Sequence, residues 1–112
     1  MDCIFCKIAA GEIPAKKAYE DEKILVFHDV APAAPVHLLA IPKAHIQSAG
    51  EVDESNADLV GHLFVVMAKL AGELELSSGF RVVTNCGRDA GQSVGHLHFH
   101  LLAGRELAWP PG

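Results

Sequence analysis

The run His96-Leu97-His98-Phe99-His100-Leu101-Leu102 restricts the backbone more than any other stretch of this chain. Successive side chains of an extended strand point to opposite faces. That conformation collects the three imidazoles on one surface and Leu97, Phe99 and Leu101 on the other. The apolar face must then be covered. In a chain of 112 residues, half of them hydrophobic, one core is what the length allows. The expectation is a single domain over residues 1–112, with no internal repeat, low-complexity tract or linker.

The remaining elements fit around that strand. Cys3 to Ala10 reads as a short helix, with Phe5, Ile8 and Ala9 on one side and Gly11 as its stop. Ala18-Tyr19-Glu20 and Ile24 to His28 flank the polar connection Asp21-Glu22-Lys23 and read as a β-hairpin. Val36 to Ile41 is apolar apart from His37, follows the proline-broken stretch Ala31 to Pro35, and is closed by Pro42, which predicts a buried strand. Leu59, Leu63, Met67, Leu70 and Leu74 recur at helical steps, with Asp53 and Ser55 as N-cap candidates and Gly79 beyond the end. Phe80 to Thr84 and His96 to Leu102 complete the strands. The order predicts an α+β domain, one main helix packed on an antiparallel sheet.

Three chemistries are open to the histidine face: a polar strand surface, a metal site of neutral imidazoles, or nucleophilic catalysis by an imidazole on phosphorus. The preceding loop, with Asn85, Arg88, Gln92 and Ser93 among Gly87, Gly91 and Gly95, offers donors and close backbone N–H groups that suit an anion, and also reads as an ordinary polar turn. A net charge of −5, from 9 basic and 14 acidic residues, argues against binding along a nucleic-acid backbone. No apolar stretch approaches the about 20 residues of a membrane span, and the start has no signal-peptide pattern, so a cytoplasmic protein is expected. The odd set Cys3, Cys6 and Cys86 suits reduced thiols or metal ligands better than disulfides.

The histidine run resembles the His-φ-His-φ-His-φ-φ signature of the histidine triad (HIT) superfamily, where φ is hydrophobic. Ile4-Phe5, Glu12 to Lys16, Phe27-His28-Asp29-Val30, Pro35-Val36-His37, Ile41 to His45, Gly91-Gln92-Ser93-Val94 and the terminal Trp109-Pro110-Pro111-Gly112 are similar to the histidine triad nucleotide-binding (Hint) branch. The resemblance implies a homodimer in which two five-stranded antiparallel sheets join into a ten-stranded one. It also implies hydrolysis of AMP or GMP joined through phosphorus to an amine. His98 would be the nucleophile, within a catalytic set of His96, His98, His100 and Ser93, and His100 and Asn85 would contact the phosphate oxygens. Gly91, Gln92, Ser93 and Val94 would form the phosphate loop, with Ser93 donating near the leaving group. Asp29 would accept from the ribose hydroxyls. Ile4, Phe5, Ile8, Phe27, His28 and Val30 would enclose the purine, although Phe5, Ile8 and Phe27 read equally as core.

The tail, residues 104–112 with Trp109, would reach toward the partner subunit's active site. One CxxC alone is a weak metal signal, but similarity to bacterial relatives implies a structural Zn²⁺ held by Cys3, Cys6, His45 and His96. His37 would stand beside the triad, holding an imidazole tautomer or simply satisfied in the core. His62 and Cys86 read as structural. Two other readings compete: a dinucleoside polyphosphate hydrolase of the Fhit branch, and a non-catalytic nucleotide-binding or zinc-binding adaptor that would have no need of an intact His98.

Overall fold

The computed structural model describes residues 3–112. Its elements are α1 (Ile4–Ala9), β1 (Lys17–Glu20), β2 (Ile24–His28), β3 (Val36–Pro42), a 3-10 turn at Ala49–Glu51, α2 (Ala57–Glu73), β4 (Arg81–Val83) and β5 (Phe99–Ala103). The strands form one five-stranded sheet, ordered β1-β2-β3-β5-β4, and each pairing is antiparallel. The expected α+β architecture, with one main and one short helix, is the one observed.

Register puts Phe27, Leu39, His100 and Val83 side by side across four strands. Because alternate residues share a face, the sheet has two apolar sides. Ile24, Val26, Leu38, Ala40, Phe99 and Leu101, with Leu97, meet Leu63, Val66, Met67 and Leu70 of α2. Leu25, Phe27, Leu39 and Ile41 meet Phe5 and Ile8 of α1 on the opposite side. His98 and His100 lie on the α1 side, where only a six-residue helix covers the sheet and room remains for a ligand.

Element ends differ from the sequence expectation for identifiable reasons. Regular pairing of β5 starts at Phe99 rather than His96. Pro42 has no N–H with which to extend the ladder, and the Leu97 N–H donates instead to the Ile46 carbonyl at 2.6 Å. β4 stops at Val83, and Thr84 turns its hydroxyl onto the His98 carbonyl, 2.8 Å away. The N-cap of α2 is Asn56, not Asp53 or Ser55; the Asp53 carboxylate is occupied by the N–H and hydroxyl of Ser55. The helix ends at Glu73 with Leu74 as its C-cap, well before Gly79. Glu75 adopts φ 57°, its N–H donates to the Gly72 carbonyl, and the Leu76 N–H donates to that of Ala71. That is a Schellman closure with glutamate where glycine is usual. Among the described residues no helix is long and apolar enough to cross a membrane.

The β1–β2 turn is pinned to α2 through one carboxylate. Asp21 Oδ1 accepts from the backbone N–H groups of Lys23 and Ile24, and Oδ2 accepts from the Tyr19 hydroxyl at 2.9 Å and lies 2.6 Å from His62 Nε2 on α2. Burial alone would raise the Asp21 carboxyl, but the bonds from His62, Lys23, Ile24 and Tyr19 outweigh it and hold the group well below the usual carboxylate range. A depressed carboxylate stabilises the fold above its unfolded-state pKa and loses that contribution as pH falls. Asp21→Asn is therefore expected to cost about 1–2 kcal/mol at pH 7, read as a lower thermal midpoint. The gap between variant and parent should begin to narrow below about pH 4 and close only as the folded-state carboxyl itself protonates, well below that; a gap of unchanged size between pH 7 and about pH 2 would contradict this account.

Candidate active site

Backbone carbonyls fix the chemistry of the triad. A carbonyl oxygen only accepts, so each imidazole nitrogen facing one must carry the hydrogen. His98 Nδ1 lies 2.8 Å from the His96 carbonyl and donates to it, leaving the lone pair on Nε2. His98 is 3% exposed, edge-on to Phe5 at 5.1 Å and to His100 at 5.1 Å. A buried imidazole with one nitrogen bonded to a carbonyl and the other unbonded is the arrangement a nitrogen nucleophile needs.

His100 belongs to a different chain of bonds. The Ala33 N–H donates to His37 Nδ1 at 3.0 Å, so in the neutral ring the hydrogen of His37 sits on Nε2. Nε2 lies 2.9 Å from His100 Nδ1 and 3.4 Å from Asp29 Oδ2. His100 Nδ1 therefore accepts, and its remaining hydrogen is on Nε2, available to an anion. The grouping of Asp29, His37 and His100 has the side chains of a metal site, but a hydrogen on His37 Nε2 makes it a hydrogen-bond relay. Burial, with His98 and His37 nearby, pushes His100 below the ordinary imidazole range, so its donor N–H is that of a neutral ring. His37 is thus both buried and tautomer-holding, which joins the two roles left open by the sequence.

His96 points the other way, into the cysteine pair. Its Nε2–H donates to the Pro42 carbonyl at 2.8 Å, leaving Nδ1 free, 3.3 Å from Cys3 Sγ and 3.5 Å from Cys6 Sγ. Cys6 Sγ is also 3.3 Å from His45 Nδ1, and the ligand atoms of Cys3, Cys6, His45 and His96 all lie within 4.8 Å of one another. Adjacent N and S ligands on a tetrahedral Zn²⁺ are separated by about 3.5 Å, from the usual bond lengths. The separations here are those edges, and the two-sulfur, two-nitrogen set suits the same ion. Burial holds His96 below its usual range, so the ring is neutral and ready to ligate. Burial and then the neighbouring Cys3 raise the Cys6 thiol, so a metal would have to displace its proton.

The loop from Asn85 to Gly95 is braced mainly by its own side chains. Gln92 Oε1 accepts from the Gly87 N–H at 2.9 Å, while Nε2 donates to the carbonyls of Gln47 at 2.8 Å and Val94 at 2.9 Å. Gln92 therefore shapes the loop, and its amide is already engaged. Continuing the β4–β5 register past Val83↔His100 sets Asn85 opposite His98. Ser93 is exposed and Val94 packs on the α1 side beside the triad. Gly91 takes φ 77°, which a side chain would strain.

Of the residues expected around a base, Phe5, Ile8 and Phe27 are buried, Phe5 and Phe27 meeting edge to face at 5.6 Å. Ile4 is exposed, His28 half-buried, and Val30 is 99% exposed. Asp29 Oδ1 already accepts from the Ala31 N–H at 2.8 Å. Trp109 is 82% exposed, and Arg81 holds its tail by donating to the Ala108 carbonyl at 2.9 Å. The backbone groups of Ala33 and Pro42 fix imidazoles and Thr84 holds the His98 carbonyl, roles that leave no trace in residue identity. Replacing Gln92 with Ala should raise the hydrogen-exchange rate of the Gly87 amide about tenfold, equivalent to ~1.4 kcal/mol of local opening. An unchanged rate would mean the side chain does not brace the loop.

Residues 2–107 match the family described as scavenger mRNA decapping enzyme C-term binding. An uncharacterized HIT-like protein of Synechococcus elongatus is 50% identical over 111 residues, 99% of this chain and 97% of its own. Among solved structures, a HIT family hydrolase from Legionella pneumophila aligns with a TM-score of 0.97 at 47% identity, covering 99% of this chain and 100% of its own. A histidine triad protein from Clostridium difficile aligns with a TM-score of 0.93 at 51% identity, covering 96% and 95%.

Proposed function

This chain belongs to the histidine triad family, and from that premise we propose that it is a nucleotide-binding hydrolase of the Hint type, acting on nucleoside 5′-monophosphate phosphoramidates. The observation that carries the proposal is the pair of opposite tautomers. His98 offers a bare Nε2, and the neighbouring His100 offers an Nε2–H. One suits attack on phosphorus and the other suits the phosphoryl oxygens on which charge shifts during transfer.

His98 Nε2 attacks the α-phosphorus, forming an N–P bond as the P–N bond to the amine breaks. The amine leaves with a proton delivered through the Ser93 hydroxyl. Water then cleaves the nucleotidyl-histidine, its oxygen going to phosphorus and its proton restoring the one the amine took. AMP or GMP departs and His98 regains its lone pair. Asn85 and the N–H groups of the Gly91-Gln92-Ser93-Val94 loop assist at the phosphate, and Asp29 takes the ribose hydroxyls. The exposed Ile4 and Val30, with His28, are free to meet the base; Phe5, Ile8 and Phe27 form the floor beneath it.

We assign a structural Zn²⁺ to Cys3, Cys6, His45 and His96. When bound, it clamps α1 to the segment entering β5, and none of the chemistry passes through it. We also read the protein as a cytoplasmic homodimer, one continuous domain over residues 1–112. Reduced thiols suit that compartment. β4 is an open sheet edge, and the exposed Phe64, Val65 and Phe80 supply apolar area for a partner subunit, toward whose site residues 104–112 with Trp109 would extend.

Purified protein is expected to release AMP from an adenosine phosphoramidate, with His98→Ala lowering kcat at least a thousandfold while AMP binding survives. Binding without turnover would make the protein an adaptor, and faster turnover of dinucleoside polyphosphates than of phosphoramidates would move it to the Fhit type. Metal analysis should find one zinc per chain. Cys6→Ser should lose it and lower the thermal midpoint by about 5–10 °C, since metal affinity is folding free energy. Metal-free protein with an unchanged midpoint would leave the four residues as an unmetallated cluster.

A further inference from the structure

The segment Ala31-Pro32-Ala33-Ala34-Pro35 supplies the backbone donor to His37, and besides the bond from the Ala31 N–H to Asp29 Oδ1 at 2.8 Å and the burial of Ala34 few contacts of its own hold it. Pro32 and Pro35 have no N–H groups, so the loop cannot join a ladder. At its centre the Ala33 N–H is spent on His37 Nδ1. The Ala33 carbonyl is held from outside: Arg105 Nη2 donates to it at 3.0 Å across seventy-two positions of chain, while Nη1 donates to the Glu106 carbonyl at 2.9 Å. The backbone is shaped for that reach. Gly104 takes φ 94°, and a Cβ there would lie 2.7 Å from Pro35 Cβ, so the chain leaving β5 turns tightly against the same loop.

We propose that Arg105 is a positioning residue that, through Ala33 and His37, keeps the hydrogen of His100 on Nε2. The path is Arg105 to the Ala33 carbonyl, Ala33 N–H to His37 Nδ1, and His37 Nε2–H to His100 Nδ1. If the loop drifts, His37 Nδ1 loses its donor, only Asp29 Oδ2 at 3.4 Å from Nε2 still favours hydrogen there, and the ring can carry its hydrogen on Nδ1. His37 Nε2 then accepts, His100 Nδ1 must donate, and His100 Nε2 turns a lone pair toward the phosphoryl oxygens. A donor that favours the transition state becomes an acceptor that repels it. The charged guanidinium is suited to this: its bond to a carbonyl is stronger than a neutral one, and its fork also holds Glu106.

The kinetic consequence rests on the phosphoramidase reading; the tautomer consequence does not. Nitrogen-15 spectra of the histidine rings in the whole ligand-free protein should show His100 with a protonated Nε2 and an unprotonated Nδ1. In Arg105→Ala both His37 and His100 should move toward mixed tautomers, with the thermal midpoint nearly unchanged. On an adenosine phosphoramidate, the same variant should lower kcat about 5- to 10-fold with KM within about twofold, and Arg105→Lys should recover most of the loss. Unaltered tautomers in Arg105→Ala overturn the proposal, whether or not kcat falls. Mixed tautomers sustain it even if the parent protein proves inactive on phosphoramidates, in which case the functional reading alone has failed.

Discussion

The hydrogen bond from His98 Nδ1 to the carbonyl of His96, 2.8 Å long and buried, is the constraint around which the site is arranged. It joins two residues two positions apart on one strand-like segment, so the bond holds only while that segment keeps its extended shape. Several contacts outside the triad preserve that shape. Thr84 holds the His98 carbonyl, Ile46 takes the Leu97 N–H, and Pro42 takes the His96 ring. Loss of the bond would free the hydrogen of His98 to move to Nε2 and occupy the lone pair.

His96 is the hinge between two chemistries that share a backbone. Its carbonyl faces the nucleophile and its ring faces the cysteines, so the cluster of Cys3, Cys6 and His45 acts on His98 by holding the residue that holds it. The same ring donates to the Pro42 carbonyl at the end of β3. A ligating histidine whose other nitrogen is anchored is well oriented for metal, and here the anchor is sheet backbone. On the far side His37 plays the corresponding part for His100, with a loop N–H in place of a strand carbonyl. The His96 carbonyl and the His37 ring thus enforce opposite tautomers on His98 and His100.

Much of the fold follows from period and punctuation. The apolar run of β2 beside the polar turn Asp21-Glu22-Lys23, alternation around the triad, the helical spacing of Leu63, Met67 and Leu70, and the prolines at 32, 35 and 42 are local signals, and the elements appear where they point. The ends were less legible because they depend on partners. Nothing near Glu75 announces that a glutamate will accept the left-handed position, and nothing near His96 says that its ring will be held by the carbonyl of Pro42, fifty-four positions away. The site divides in the same way. The histidines, the loop and the CxxC stand out as residue types, whereas Ala33, Pro42 and Arg105 act through backbone groups or reach that composition does not encode.

The sequence by itself determined that three imidazoles alternate with apolar residues along an extended segment, that two sulfurs stand one helical turn apart, and that a glycine-bearing loop precedes the triad, because each follows from local spacing. Only the tertiary structure decided which nitrogen of each ring carries hydrogen. That choice belongs to carbonyls and N–H groups brought up from β3, from the Ala31–Pro35 loop and from the turn after β5, and hydrogen-bond direction is a property of the pair rather than of either residue alone.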